Sequence, residues 1–324
     1  MKILVLGAGV LGSYLAHVLH CGGSDVTLLA RGKRLEELRN KGLVIRHYLQ
    51  FRTTKDNIGL TESFGKSDAY DIVFVLLRRN QLDSLLPRLC ENEGSSLYVI
   101  VGNNVNAPET QRYIDEHSKT KKNVVFAFQG TGGRRENGRV ISFHWGLSSH
   151  KGRMMSGSLA GGDSCRPLLE KAFSGTHFHF NYTEKMDEWL KSHAAFILPI
   201  ALACYYTNGN LKRIAGDKKF LNLMIDAIDD AYRILEACGY SVEPKENAEY
   251  VRDKRQKCYR MFKVLCATPL GRLACCDHAM AAKDEMRCLY DGFLTFKKRA
   301  GISTPALDEL EKYMPKREDI YAEK

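Results

Sequence analysis

The sequence has 324 residues, with 48 Lys+Arg against 38 Asp+Glu and a formal net charge of +10. That length suits two domains of about 150 residues each. A composition of 44% hydrophobic and 27% charged residues is ordinary globular usage, which excludes disordered, collagen-like and coiled-coil chains.

An excess of Lys and Arg also marks nucleic-acid binders, but here the basic residues are scattered in short groups among acidic ones. A basic enzyme that attracts an anionic cofactor and substrate carries the same sign, so charge alone leaves both readings open. No recognition helix or basic stripe with interleaved aromatics emerges, and no nucleic-acid partner is expected. The ten cysteines are dispersed with no CxxC pair, as expected for free thiols in a reducing cytoplasm. The longest apolar stretch, 194–206, is too short to span a membrane and contains Pro199. Met1-Lys2, the apolar run behind it and VLHC around Cys21 imitate a lipoprotein signal. The glycine pattern described next accounts for the same residues more fully.

In chain order, ILVLG (3–7), VTLLA (26–30), IVFVLL (72–77), LYVIV (97–101) and VVFAF (124–128) are continuous aliphatic runs. Runs apolar on both faces are what buried parallel strands require. Helical stretches between several of them predict βαβ units with right-handed crossovers. From about 140 to 180 the texture changes to short pieces such as RVISFHW and MSGSLAGG, which predict antiparallel strands and turns. After Tyr182 strands give way to helical patterns at 186–206, 218–237, 244–265, 272–300 and 304–313, with Gly239 and Gly301 as helix stops. The expected architecture is α/β, with a Rossmann-like dinucleotide-binding domain over residues 1–181 and an all-helical substrate and catalytic domain over 182–324.

Gly7-Ala8-Gly9-Val10-Leu11-Gly12 is G-x-G-x-x-G after a strand and at the opening of a helix (11–19). The first glycine permits the tight turn, the second lets backbone approach a pyrophosphate, and the third allows close helix–strand packing. The amides of Val10, Leu11 and Gly12 then face the anion at the helix N-terminus. An acidic residue ending the second strand would bind the ribose 2′-hydroxyl of NAD. Arg31 there supplies a cation for the 2′-phosphate of NADP instead, with Lys33 and Arg34 adding positive charge, so NADP(H) is the expected cofactor.

With these residues goes a resemblance spanning nearly the whole chain. MKILVLGAGVLGSYLAHVL with VTLLAR, VLLRRNQ (75–81), VGNN (101–104), EWLKSH (188–193), NGNL (208–211) and DEMRCLYDGF…AGISTP (284–305) resemble the ketopantoate reductase (2-dehydropantoate 2-reductase) family. The resemblance implies a Rossmann domain followed by a helical domain like the C-terminal one of 6-phosphogluconate dehydrogenase. It also implies reduction of a small anionic 2-oxo acid by NADPH, a place in pantothenate biosynthesis, and room for a homodimer. It makes Lys191, two residues after Trp189, the acid that protonates the ketone oxygen, and Glu285 the carboxylate that orients it and binds a substrate hydroxyl. Asn103 is placed near nicotinamide and substrate, and Arg78 and Gln81 near the cofactor, Arg78 standing where the family has Lys.

Departures from the family pattern bear on the substrate. The two asparagines expected four and eight residues after the lysine are Ala195 and Pro199, and the serine expected twelve residues before the glutamate is Leu273. The stretch from Lys191 to Pro199 is one residue short, which on a helix turns later side chains by about 100°. His193 and Asp277 remain as polar candidates for substrate contact. His177-Phe178-His179, read as a strand, puts both imidazoles on one face, but no third ligand is visible and no metal site is expected. Two readings compete with a ketopantoate-like reductase: a same-fold oxidoreductase of another oxo or hydroxy acid, and a non-catalytic NADPH-binding sensor.

Overall fold

The computed structural model describes residues 1–144, 152–159, 161–162 and 164–322. The chain forms two units: Met1–Gly102 with Asn106–Met186, and Asp187–Lys324 with Asn103–Val105.

In the first unit the apolar runs become the middle of a sheet. The strands are β1 (Lys2–Leu6), β2 (Asp25–Leu29), β3 (Leu43–His47), β4 (Arg52–Asp56), β5 (Gly59–Thr61), β6 (Ile72–Val75), β7 (Leu97–Val101), β8 (Asn123–Gln129), β9 (Thr131–Glu136), β10 (Arg139–His144), β11 (Arg153–Gly157) and β12 (His179–Tyr182). Eight of them form one sheet in the order β12-β11-β8-β7-β6-β1-β2-β5. From β8 to β5 every pairing is parallel. β6 and β7 are buried at every position, as strands covered on both faces must be. The helices are α1 (Val10–Cys21), α2 (Gly32–Lys41), α3 (Arg79–Glu91), α4 (Ala107–His117) and α5 (Arg166–Ser174). Strand order reverses between β1 and β6, the switch point at which open α/β sheets bind ligands.

Residues 140–180 differ from the antiparallel expectation. β10 does run antiparallel to β9, and β11 to β8, but α5 carries the chain over so that β12 lies parallel to β11. The Gly/Ser-rich texture hid α5, whose Leu169, Ala172 and Phe173 form a buried stripe at helical spacing. Trp145 and Ala160, within the two quoted pieces, lie outside the described residues. His177 precedes β12, so the two histidines do not share a strand face. β4 and β9 escaped the apolar criterion because they are polar strands at the edges of a second sheet, β4-β3-β10-β9.

The second unit is helical: α6 (Met186–Tyr206), α7 (Lys212–Ala215), α8 (Lys218–Ala237), α9 (Glu246–Arg252), α10 (Arg255–Ala267), α11 (Pro269–Gly271), α12 (Asp277–Ala281), α13 (Lys283–Ala300), α14 (Pro305–Glu311) and α15 (Arg317–Ala322). The buried stripe of α8 includes Leu221, Ile225, Ile228, Tyr232 and Leu235, and Asp217 caps its N-terminus by accepting from Phe220 N–H at 2.9 Å. Asp230 Oδ2 accepts from Ala306 and Leu307 N–H, fastening α14 to α8. Gly301, at φ +60°, ends α13 in the left-handed conformation that glycine adopts without a Cβ penalty. Residues 272–300 are not one helix as predicted. Arg272–Cys276 form a π-helical turn, and the helical dihedrals break again at Ala282 (φ −131°, ψ 41°). Among the described residues no helix is long and apolar enough to cross a membrane.

Candidate active site

The β1–α1 turn is built by steric exclusion. Gly7 has φ +119°, and a Cβ there would lie 2.2 Å from the Leu76 carbonyl oxygen, at the end of neighbouring β6. At Gly12 a Cβ would lie 1.9 Å from the Gly7 carbonyl oxygen. Gly9 differs: its Cβ would meet nothing within 4 Å, and it heads α1 with no side-chain cap. The first-turn amides of a helix lack intrahelical acceptors, so room ahead of Val10, Leu11 and Gly12 suits an anion. These residues fit the pyrophosphate of a dinucleotide.

Arg31 follows β2 at the head of α2, exposed, with its Nε donating to the Glu62 carbonyl at 3.0 Å. Arg34 is not the open cation expected. It is buried and donates to the carbonyls of Ala8 (3.2 Å) and Gly138 (2.9 Å) and to Ser13 Oγ (3.1 Å). It braces the glycine turn from behind, a role that required knowing which face of α2 turns inward. Arg78 and Gln81 sit at the head of α3 directly after β6, with Gln81 N–H bonded to the Arg78 carbonyl at 2.8 Å.

In the helical unit a polar cluster gathers on Glu285. Asn103 Nδ2 donates to Glu285 Oε1 at 3.4 Å, while Asn103 Oδ1 is buried with no hydrogen-bond partner among the described residues. A buried amide oxygen left open is costly unless a ligand completes it. The other Glu285 oxygen lies 3.6 Å from His278 Nε2, and Glu285 is itself buried. On an unbroken helix, residues seven apart would be about 10 Å apart along the axis. The break at Ala282 is what lets His278 fold back onto Glu285. Sequence reasoning passed over His278. Asp277, chosen instead, is drawn to Arg272 at 3.1 Å.

Lys191 is held elsewhere. Its ammonium pairs with Asp187 one turn earlier and lies 4.7 Å from the ring centre of Tyr240 and 5.7 Å from that of Phe296. It is 1% exposed. Phe296 stands eleven residues beyond Glu285 on α13, about 16 Å along the helix axis. Asn103 and Glu285 are therefore brought together, and Lys191 does not join them.

Residues 3–146 match the family model described as "Ketopantoate reductase PanE/ApbA". Over these residues, less than half of the chain, the sequence is similar to that family. Among relatives, the "Uncharacterized oxidoreductase YkpB" of Bacillus subtilis (strain 168) is 35% identical over 89 residues, 26% of this chain and 27% of that protein. The chain thus aligns with about a quarter or less of the length of the curated relatives it matches. Two solved structures share the fold over both chains' length. The PanE/ApbA family ketopantoate reductase from Ralstonia eutropha JMP134 has a TM-score of 0.73, with 16% identity and 97% of each chain covered. D-mandelate dehydrogenase with NADH and anilino(oxo)acetate has a TM-score of 0.72, with 14% identity and 97% of each chain covered.

Within this ketopantoate reductase fold, α6 carries apolar residues where the family pattern has asparagines: Ala195 and Pro199 are buried. His193 stacks on Trp189, ring centres 5.2 Å apart and 5° from parallel. Burial, with the charge of nearby His278 second, holds its pKa down to about 3 from the usual 6.5. It is therefore neutral at physiological pH, able to hydrogen-bond but not to bring a positive charge. Between pH 6.5 and 3 the unfolded chain binds a proton here that the folded chain refuses, so stability falls as pH falls through that window. The loss reaches up to about 1.4 kcal/mol per pH unit. Urea midpoints at pH 7 and pH 5 should therefore fall further for the wild type than for His193→Gln; equal drops would contradict the depressed pKa.

Proposed function

We propose that the protein is an NADPH-dependent reductase of a small 2-oxo acid, ketopantoate-reductase-like in fold and divergent in its substrate pocket. The observation that carries this reading is the Asn103–Glu285–His278 cluster, with the Asn103 amide oxygen buried and open, on a chain that also has the glycine turn and Arg31. A bound nicotinamide supplies the hydride to the carbonyl carbon.

The remaining roles fall to the chain. The turn of Gly7, Gly9 and Gly12 holds the pyrophosphate, Arg31 takes the 2′-phosphate, and Arg78 and Gln81 stand at the head of α3 to hold the rest of the cofactor. Asn103 accepts a hydrogen bond from a substrate hydroxyl or a carboxamide. Glu285 orients His278, and protonated His278, half-exposed, delivers the proton to the substrate oxygen. The resemblance assigns that proton to Lys191. For Lys191 to serve, its pair with Asp187 would have to open, and the burial of Lys191 favours His278 instead.

The replacement of both asparagines by Ala195 and Pro199, and of the serine by Leu273, supports a 2-oxo acid less polar than ketopantoate. The fold shared with D-mandelate dehydrogenase gives a reason to include aromatic 2-oxo acids among the substrates tested.

The test follows NADPH oxidation across a panel of aliphatic, hydroxylated and aromatic 2-oxo acids including ketopantoate, with NADH in parallel. Turnover of a less polar acid in preference to ketopantoate supports the pocket argument. Tight NADPH binding without turnover of any acid would leave the sensor reading. Arg31→Glu should lower the preference for NADPH over NADH by about 10- to 100-fold, the worth of one charge-assisted hydrogen bond. An unchanged ratio would remove Arg31 from 2′-phosphate recognition.

A further inference from the structure

At the far end of α1 from the glycine turn, three side chains that the proposed reaction does not use converge. His17 and Cys21 are one turn apart on the same helix face, and β4 delivers Asp56, its last residue, beside them. His17 Nδ1 lies 2.6 Å from Asp56 Oδ2 and 3.6 Å from Cys21 Sγ, and the three ligand atoms all lie within 4.8 Å of one another. We propose that His17, Cys21 and Asp56 form a divalent-metal site, suited to zinc, on the dinucleotide-binding unit and independent of the reductase reading.

The geometry separates this from a nucleophilic relay. In a Cys–His–carboxylate relay the thiol and the carboxylate address opposite ring nitrogens, so that a proton can pass through the imidazole. Here both address Nδ1, and one nitrogen cannot serve both as hydrogen-bond partners at full strength. Convergence of a thiol, an imidazole nitrogen and a carboxylate on one point is what a metal requires. With metal–ligand bonds of about 2.0 Å to nitrogen and oxygen and about 2.3 Å to sulfur, tetrahedral ligand atoms lie roughly 3.3 to 3.5 Å apart. The sulfur–nitrogen edge is already near that value, and the nitrogen–oxygen edge must open by about 0.7 Å.

Two ionised ligands and one neutral imidazole balance a dication, and the borderline-soft donor set favours zinc over calcium or magnesium. The helix C-terminus beside Cys21 presents the negative end of the α1 dipole. His17 is buried while Cys21 is exposed, so the cluster is open to solvent at Cys21. The His17 ring also packs 5.1 Å from that of His47, which is hydrogen-bonded to Thr54 Oγ1 at 2.9 Å, so the ligand comes with a supported orientation. The opposing feature is Arg52, near enough for its charge to draw the Cys21 thiol pKa down against the upward push of burial and Asp56. Its side chain is exposed and can turn to solvent.

Cobalt(II) titration of chelator-treated full-length protein tests this, because a thiolate–cobalt bond gives a charge-transfer band absent from histidine and carboxylate sites. The expected result is one equivalent of cobalt bound with that band and displaced by zinc. The band should be lost in Cys21→Ser, with zinc affinity down at least about 100-fold, beyond the cost of losing an outer-shell partner. Asp56→Asn should keep the band and weaken zinc binding about 10-fold or more, serving as the check if Cys21→Ser folds poorly. Absence of the band in the wild type, or an equal band in Cys21→Ser arising from another of the ten cysteines, would overturn the site.

Discussion

Replacing Gly12 by alanine should abolish useful dinucleotide binding and also weaken the apo-protein. The new Cβ would fall 1.9 Å from the Gly7 carbonyl oxygen, so either α1 must back away from β1 or the turn must open. Overpacking of this kind costs roughly 1–3 kcal/mol, and misaligning one or two amide–phosphate bonds costs about 100-fold or more in affinity. Gly9→Ala is the matched control. Its Cβ meets nothing within 4 Å and its φ of −72° suits any residue, so apo-stability should hold while cofactor affinity falls. Thermal unfolding of the apo-proteins and fluorescence titration with NADPH separate the two. Equal melting points for both variants would mean that the Gly12 contact relaxes without cost, and unchanged affinity in both would remove the turn from cofactor binding.

Glu285→Gln should lower kcat by about 100-fold or more, the usual scale for losing a group that places a proton, with little change in melting temperature. Lys191→Met should do the reverse. Breaking a buried ion pair leaves Asp187 without its cation and costs about 3 kcal/mol, while kcat at a temperature where the variant is folded should stay within about 10-fold. Asp187→Asn combined with Lys191→Met should recover part of the stability, since neither charge is then stranded. A Lys191→Met protein with unchanged stability and kcat down about 1,000-fold would restore the lysine as proton donor and displace His278.

The features legible in sequence were those set by short-range rules. Continuous aliphatic runs became the central parallel strands, G-x-G-x-x-G became a turn whose first and third glycines admit no Cβ, and 186–206 and 218–237 became single helices. β4 and β9 were not legible, because edge strands need no apolar face, and α5 was masked by its Gly/Ser-rich flanks. Asn103 and Glu285, matched by resemblance, meet across 182 residues of chain. Their partner His278 carried no sequence signal, because its approach to Glu285 depends on a helix break at Ala282 that no proline or glycine announces.

By itself, then, the sequence determined an α/β fold with a glycine turn after its first strand, a helical second half and a cation at the end of β2, since periodicity, steric freedom and charge are properties of neighbouring residues. Only the tertiary structure decided which charges remain available. Arg34, Lys191 and Arg31 look alike as letters. Packing turns the first into a brace for the glycine turn, seals the second in an ion pair against two aromatic rings, and leaves the third exposed at the strand end. Desolvation and partner distance depend on residues far away in the chain, and these set what a charged group can do.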